Sequence, residues 1–110
     1  MADSPAPLDY LKQISLEAGN AFQALRKAVL GSGPLDTHTC ELIALGGLVT
    51  AGSEQSFKTH ARRLLRDGVP AAALRQAVLV TLGASTTFSQ AIDGLKWIEQ
   101  LERELQARPT

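Results

Sequence analysis

The stretch that decides the fold is Leu35 to His60, LDTHTCELIALGGLVTAGSEQSFKTH. It places one acidic residue, Glu41, at the head of an apolar run and ends in a polar segment that contains His60. Asp36 has the side chain of an N-cap residue, because a short carboxylate can accept hydrogen bonds from the free amides of a first helical turn. The stretch therefore predicts a helix from about Thr37 to Ala51.

Glu41 shares its helical stripe with apolar residues three or four positions away, Ala44, Leu45 and Leu48. We therefore expect its carboxylate at the edge of a core, where burial opposes the charged form unless a partner offsets the cost. The alternative interpretation is an acid near the helix N-terminus that favours the helix dipole while its head group stays in water. Taken alone, the helix favours this alternative.

The following segment predicts a helix from about Ser53 to Asp67, closed by Gly68 at the C′ position. Ser53, Ser56 and His60 lie on one stripe, on or beside the apolar face. A different stripe carries basic residues that should face water: Lys58, Arg62 and Arg66. A lone histidine on an apolar face is more often structural than catalytic, but pairing with Glu41 across two helices would favour a functional role.

The rest of the chain also has helical patterns. Residues Leu8 to Leu30 predict a short helix and a longer one, with Gly19 and Asn20 as the interruption, before the stop at Gly31-Ser32-Gly33-Pro34. Further helices are predicted from about Pro70 to Leu82, and from about Thr86 to Gln106 with Ser85 as N-cap. The last helix should bury a stripe of large apolar residues: Phe88, Ile92, Leu95, Ile98 and Leu101.

No strand pattern competes with these helices, so the predicted fold class is all-α, with about five or six helices. One helical domain is expected over residues 8–107, between a flexible N-terminus (1–7) and a C-terminal tail (108–110). The segments Leu42–Val49 and Ala71–Leu82 are apolar on nearly every side. A chain this small cannot bury both sides of two such helices, which predicts a symmetric homo-oligomer. The alternative is a monomer with these helices at its centre.

Composition excludes several classes of protein. The chain has 110 residues, 45% of them hydrophobic, and its 11 basic and 11 acidic residues cancel. We therefore expect no binding to nucleic acid or to an anionic membrane. Without a signal-peptide pattern or an apolar run of about 18 residues, we expect a cytoplasmic protein.

The single cysteine, Cys40, excludes an internal disulfide and is most simply a small apolar side chain that fills space in the core. Neither a phosphate loop nor metal-ligand spacing is present, so no cofactor or metal is predicted.

Four features follow one another along the chain: LD-x-x-T-x-ELIAL, a polar turn, a helix with His60 and then RDGV. In this order they resemble the carboxymuconolactone decarboxylase superfamily, which includes the alkylhydroperoxidase D-like (AhpD-like) proteins. The resemblance covers roughly Ala21 to Leu101. Redox members begin the second helix with Cys-x-x-Cys-x-x-x-His and carry a glutamate twelve residues before the first cysteine. His60 and Glu41 match that histidine and glutamate, whereas Ser53 and Ser56 occupy the two cysteine positions.

This resemblance implies an AhpD-like helical domain assembled as a trimer or hexamer. In redox members the cysteine pair attacks peroxide while the glutamate and histidine relay a proton. A serine forms neither a thiolate near neutral pH nor a disulfide, so we expect no two-cysteine peroxidase activity. Decarboxylase members act without a cofactor on a small carboxylated lactone, which makes Glu41 and His60 a candidate proton relay here. The alternative is a non-catalytic oligomeric binding protein that kept the scaffold.

The decarboxylase interpretation requires positive charge near the substrate carboxylates. Lys58, Arg62 or Arg63 are candidates only if a neighbouring subunit folds them inward, because their helical stripe argues against one shared pocket within a subunit. If Glu41 and His60 share a site, a neutral His60 can donate a ring N–H to the carboxylate. An adjacent carboxylate would also hold the pKa of His60 above its free value of about 6.5 unless desolvation lowers it.

Overall fold

The computed structural model describes residues 6–107, and it shows six α-helices over these residues. The helices are α1 (Pro7–Ile14), α2 (Leu16–Leu30), α3 (Thr37–Ala51), α4 (Glu54–Arg66), α5 (Ala71–Leu79) and α6 (Phe88–Ala107). Across residues 6–107 the sole bridge of β type is an isolated one between Leu82 and Thr86. The predicted all-α class with five or six helices is confirmed.

Within the described residues, the chain forms two compact units, residues 6–37 and residues 38–107. Residues 1–5, within the expected flexible N-terminus, and residues 108–110, the expected tail, lie outside the described part of the chain. Of the remaining N-terminal residues, Pro7 already belongs to α1. The predicted boundaries of one helical domain stay a prediction.

In the first unit, α1 packs against α2. The interruption expected at Gly19 and Asn20 lies instead at Ser15, whose extended backbone ends α1 and whose hydroxyl accepts from the Ala18 amide at 3.1 Å to begin α2. A serine hydroxyl at an N-cap satisfies a backbone donor that would otherwise lack a partner. Gly19 remains helical and buried, and a Cβ there would clash with the side chain of Lys12. Its role is close packing.

In the second unit, α4 and α5 pack against α6, and α3 joins them in one apolar core. The core consists of ten buried apolar residues: Leu45, Val49, Phe57, Ala61, Leu64, Leu74, Val78, Ala91, Ile98 and Leu101. Trp97, which falls outside the apolar stripe of α6, packs against this core with its ring centroid 5.2 Å from that of Phe57. The sequence-predicted bounds of α3 are confirmed, and Gly68 closes α4 with a φ of 93°.

The boundary between α5 and α6 differs from the prediction. Helix α5 ends at Leu79, three residues before the expected Leu82, and the carbonyl of Thr81 then accepts from the amides of Ala84, Ser85 and Thr86. Gly83 adopts a φ of 87° inside this turn, a conformation that glycine enters at little cost.

The N-cap residue of helix α6 is Thr87, not the predicted Ser85. The backbone amide of Thr87 donates to Gln90 Oε1 at 3.0 Å, and the backbone amide of Gln90 donates to Thr87 Oγ1 at 3.1 Å. This reciprocal pair is a capping box. Phe88 was expected on the buried face, and that prediction is wrong, because its side chain is 70% exposed. Phe88 occupies the first position of α6, one turn before the buried residue Ala91.

Among residues 6–107, no helix combines the length and the apolar character that crossing a membrane requires.

A close contact between α6 and α3 predicts unequal effects of two glycine substitutions. A Cβ at Gly94 would lie 2.6 Å from Val49 Cγ2, whereas a Cβ at Gly47 on α3 would meet nothing within 4 Å. We expect Gly94→Ala to cost about 1–3 kcal/mol through overpacking. Gly47→Ala, the matched control, should stabilise by up to about 1 kcal/mol through helix propensity. Denaturant unfolding measures both, and equal effects would contradict the packing.

Candidate functional site

Glu41 lies in α3, one turn before the fully buried Leu45. Its residue exposure is 6%, so the sequence interpretation that places it at the edge of the core is correct, and the interpretation with its head group in water is wrong. A buried carboxylate requires a hydrogen-bonded partner, because desolvating an unpaired charge is costly. The identity of that partner determines what the site can do.

The partner of Glu41 is Arg63, on α4. One terminal nitrogen of its guanidinium, Nη2, lies 3.1 Å from Glu41 Oε1 and 2.9 Å from His60 Nδ1. The two hydrogens of this nitrogen can therefore serve the carboxylate and the imidazole at the same time. The side chain of Arg63 is 50% exposed while that of Glu41 is 7% exposed, so the cluster is buried at the carboxylate and open to solvent at the arginine.

Arg63 contacts Glu41 within one subunit, although the helical stripe argued against a shared position for Glu41 and the basic residues of α4. It follows His60 by three residues, which places both side chains on neighbouring positions of the same helical face. Its long side chain then reaches α3. The other two basic candidates are engaged elsewhere: Lys58 Nζ lies 2.7 Å from Glu54 Oε2, and Arg62 Nε lies 2.8 Å from Glu104 Oε2.

His60 is partly buried, and Arg63 connects it to Glu41. The direct bond from His60 to the Glu41 carboxylate stays a prediction, as does a proton relay through the two residues. The structure therefore places both candidate residues in one cluster and adds a third residue between them. Sequence reasoning named Arg63 only as a cation brought in by a neighbouring subunit and missed its contact with Glu41 within one chain, although its spacing of three residues from His60 was a usable signal.

Ser53 and Ser56, which the resemblance predicts to match the redox cysteines, lie at the start of α4 and are both partly buried. Ser53 occupies the N-cap position with φ −87° and ψ 80°, but its hydroxyl makes no capping hydrogen bond. Its backbone instead joins the two helices, since its amide donates to the Leu48 carbonyl and its carbonyl accepts from the Phe57 amide. The helix start is thus formed by backbone contacts, which a serine and a cysteine provide equally well.

The remaining candidates from the sequence lie elsewhere. His38 is exposed, with Nε2 3.7 Å from Asp67 Oδ2, and Cys40 is a partly buried thiol. No group of three potential metal ligands occurs within residues 6–107. An open cavity of about 330 Å³ lies between α3 and α5, and neither Glu41 nor His60 lines it.

The glutamate and histidine on consecutive helices, with serines at the start of the second, agree with a comparison against protein families. The model of the carboxymuconolactone decarboxylase family matches residues 17–100. The chain belongs to this family. Neither a search of curated proteins nor a search of solved structures found a match. Membership in the carboxymuconolactone decarboxylase family therefore supports the scaffold, and the chemistry has to be argued from the cluster itself.

In this carboxymuconolactone decarboxylase family member, removing Arg63 should leave the buried Glu41 carboxylate without the arginine that it binds. We expect Arg63→Met to lower the free energy of unfolding by about 1–3 kcal/mol. Arg62→Met, which removes an exposed ion pair with Glu104, should cost less than about 1 kcal/mol.

The double variant Arg63→Met with Glu41→Gln tests the cause of that loss. It removes the uncompensated charge and should recover part of the stability, because a neutral amide is cheaper to bury than a carboxylate. Urea unfolding of the four proteins provides the comparison. If Arg63→Met costs no more than Arg62→Met, the arginine does not compensate the buried charge.

Proposed function

We propose that this family member binds a small carboxylated molecule at the cluster of Glu41, Arg63 and His60 and carries out cofactor-independent decarboxylase or lyase-type chemistry on it. One observation supports the proposal above all others. A buried carboxylate holds an arginine that is half exposed, and the same arginine contacts a histidine. The cluster thus combines a cationic donor and an imidazole at a solvent-accessible position.

Recognition of the ligand follows from the geometry of the guanidinium. Arginine has five N–H hydrogens, and the contacts with Glu41 and His60 both involve Nη2. Among residues 6–107, no protein acceptor is assigned to Nε or Nη1 of Arg63. A ligand carboxylate can therefore accept a single hydrogen bond from Nε or from Nη1, because both bidentate edges of the guanidinium include the occupied Nη2. Glu41 contributes by holding the guanidinium in place.

Decarboxylation requires stabilisation of the charge that develops in the substrate. The bond from carbon to the departing carboxylate breaks, its electron pair stays on that carbon and spreads onto a conjugated carbonyl, and carbon dioxide leaves. The resulting enolate oxygen needs hydrogen-bond donors, and the carbon then takes up a proton. Arg63 and the ring N–H of His60 are such donors. No step of this reaction requires a thiol.

The second candidate function is a non-catalytic oligomeric binding protein on an AhpD-like scaffold that has lost peroxidase activity. Ser53 and Ser56 favour it, because the hydroxyls at these positions cannot form the disulfide of the redox cycle. The same cluster would then bind a carboxylated ligand without converting it. Binding without turnover distinguishes this function from the first.

Activity measurements separate these functions. With a panel of small carboxylated lactones, we expect carbon dioxide release by the wild-type protein and a loss of about 10²-fold or more in His60→Leu, because a donor to the developing oxyanion is removed. Glu41→Gln should reduce the rate by releasing Arg63. Lys58→Met, which breaks only the surface pair with Glu54, is the control expected to retain activity.

Two results would contradict the catalytic proposal: no carbon dioxide release from any substrate, or an unchanged rate in His60→Leu. Calorimetric titration of the same compounds then identifies binding without conversion. Peroxide consumption with dihydrolipoamide, measured on the same preparation, should stay at the level of the buffer. A rate equal to that of redox relatives would show that the serines do not abolish that cycle.

We further propose that the protein forms a symmetric homo-oligomer, a trimer or a hexamer. The second unit supports this through four apolar side chains with exposures of 40–65% on α3, on α5 and just after it: Ile43, Leu79, Val80 and Leu82. A small protein gains free energy when such side chains are covered by another subunit.

Light scattering coupled to gel filtration tests the oligomer. We expect three or six times the 11.7 kDa of one chain. Val80→Asp should lower the mass because it introduces a charge into the interface, and Gln100→Glu, an exposed polar position on α6, is the control. A wild-type mass of 11.7 kDa would contradict the proposal.

A further inference from the structure

We infer that Arg63 is a positioning residue that fixes His60 as a neutral imidazole with its hydrogen on Nε2. The inference rests on the 2.9 Å contact between Arg63 Nη2 and His60 Nδ1 and on the 3.1 Å contact between the same Nη2 and Glu41 Oε1. It assigns a role to a residue that none of the sequence motifs includes. It also assigns to His60 a role different from that of a proton relay.

The first step concerns which atom donates. A guanidinium has N–H donors and no acceptor, and it stays charged in proteins. At 2.9 Å, the contact with His60 Nδ1 has the length of a hydrogen bond. Nδ1 must therefore accept, with its lone pair directed at Arg63. A neutral imidazole carries one ring hydrogen, so that hydrogen lies on Nε2.

The second step concerns what holds the arginine. Glu41 is an acceptor only, its side chain is 7% exposed, and it belongs to a different helix from Arg63. One Nη2 hydrogen is directed to this carboxylate, so the other is directed to the imidazole. Glu41 thus acts on His60 through Arg63. The arrangement parallels metal sites and catalytic triads, in which a second group sets the tautomer of a histidine.

The third step gives the consequence for chemistry, and it rests on the proposed function. A neutral imidazole with hydrogen on Nε2 donates a hydrogen bond to an enolate oxygen without giving up its proton. While Arg63 occupies Nδ1, the ring cannot accept a second proton there. The proton that the substrate carbon takes up after loss of carbon dioxide then comes from water. His60 therefore selects ligands with a carbonyl oxygen adjacent to the carboxylated carbon.

The tautomer is measurable without a substrate. Long-range proton–nitrogen NMR spectra of protein labelled with ¹⁵N-histidine distinguish protonated from non-protonated ring nitrogens, at a pH where both rings are neutral. The chain has two histidines, so His38→Gln assigns the signals of His60. In the wild type we expect a protonated Nε2 and a non-protonated Nδ1.

Variants separate the effect of Arg63 from the intrinsic preference of the ring, since a free imidazole also favours hydrogen on Nε2. Arg63→Met leaves the Glu41 carboxylate as the nearby acceptor, and we expect the hydrogen of His60 to shift toward Nδ1. Arg63→Lys restores a cationic donor and should restore the wild-type pattern at least in part. Arg62→Met should leave the His60 signals unchanged, because that arginine pairs with Glu104.

A protonated Nδ1 in the wild type, or identical His60 signals in the wild type and Arg63→Met, would overturn the inference. If Arg63→Met does not fold, Arg63→Lys and Arg63→Gln replace it, and the wild-type spectrum still decides whether Nδ1 is protonated. The outcome is independent of the proposed function. The expected tautomer without carbon dioxide release would contradict only the reaction, whereas an active protein with a protonated Nδ1 would contradict only the role of Arg63.

Discussion

The hydrogen bond from Arg63 to the Glu41 carboxylate is the constraint on which the site depends. A carboxylate with 6% exposure has lost most of its hydration, and an unpaired charge in that position would cost several kcal/mol, on the order of what a small domain has in total stability. The bond joins α3 to α4 and simultaneously orients the arginine toward His60. The packing of α3 against α4 and the position of the candidate site therefore both depend on the bond between Arg63 and Glu41.

The apolar core makes this bond possible, because it sets the distance between the two helices. Leu45 on α3 and Phe57, Ala61 and Leu64 on α4 are all fully buried. Their packing brings Glu41, one turn before Leu45, opposite Arg63, which directly precedes Leu64. Gly94 contributes from α6, since the absence of a Cβ there lets Val49 approach closely. A change in the core would thus alter the position of both charged residues.

The geometry at the start of α4 does not depend on a thiol. The start of α4 is held by backbone hydrogen bonds of Ser53 with Leu48 and Phe57, and these bonds do not require a sulfur atom. A serine is therefore compatible with this helix start, although its hydroxyl forms no thiolate near neutral pH. Glu41 and His60 both contact Arg63. Under the proposed function, this cluster donates hydrogen bonds to a bound anion.

The sequence by itself determined most of the helices and predicted two residues of the candidate site, Glu41 and His60. Helical periodicity and the turn at Gly68 gave the correct bounds of α3 and end of α4, and the spacing of twelve residues linked Glu41 to the family motif. The sequence predicted the wrong helix boundary where several neighbouring residues can each begin or end a helix. Ser15 rather than Gly19 separates α1 from α2, and Thr87 rather than Ser85 caps α6.

Only the tertiary structure decided that Glu41 is buried and that Arg63 binds it. A helical pattern gives the direction in which a side chain leaves its own helix, but not which residue of another helix it meets. That depends on how closely α3 and α4 pack and on the length of the arginine side chain, which spans the gap from a half-exposed position. The partner of a long charged side chain is therefore set by packing between helices.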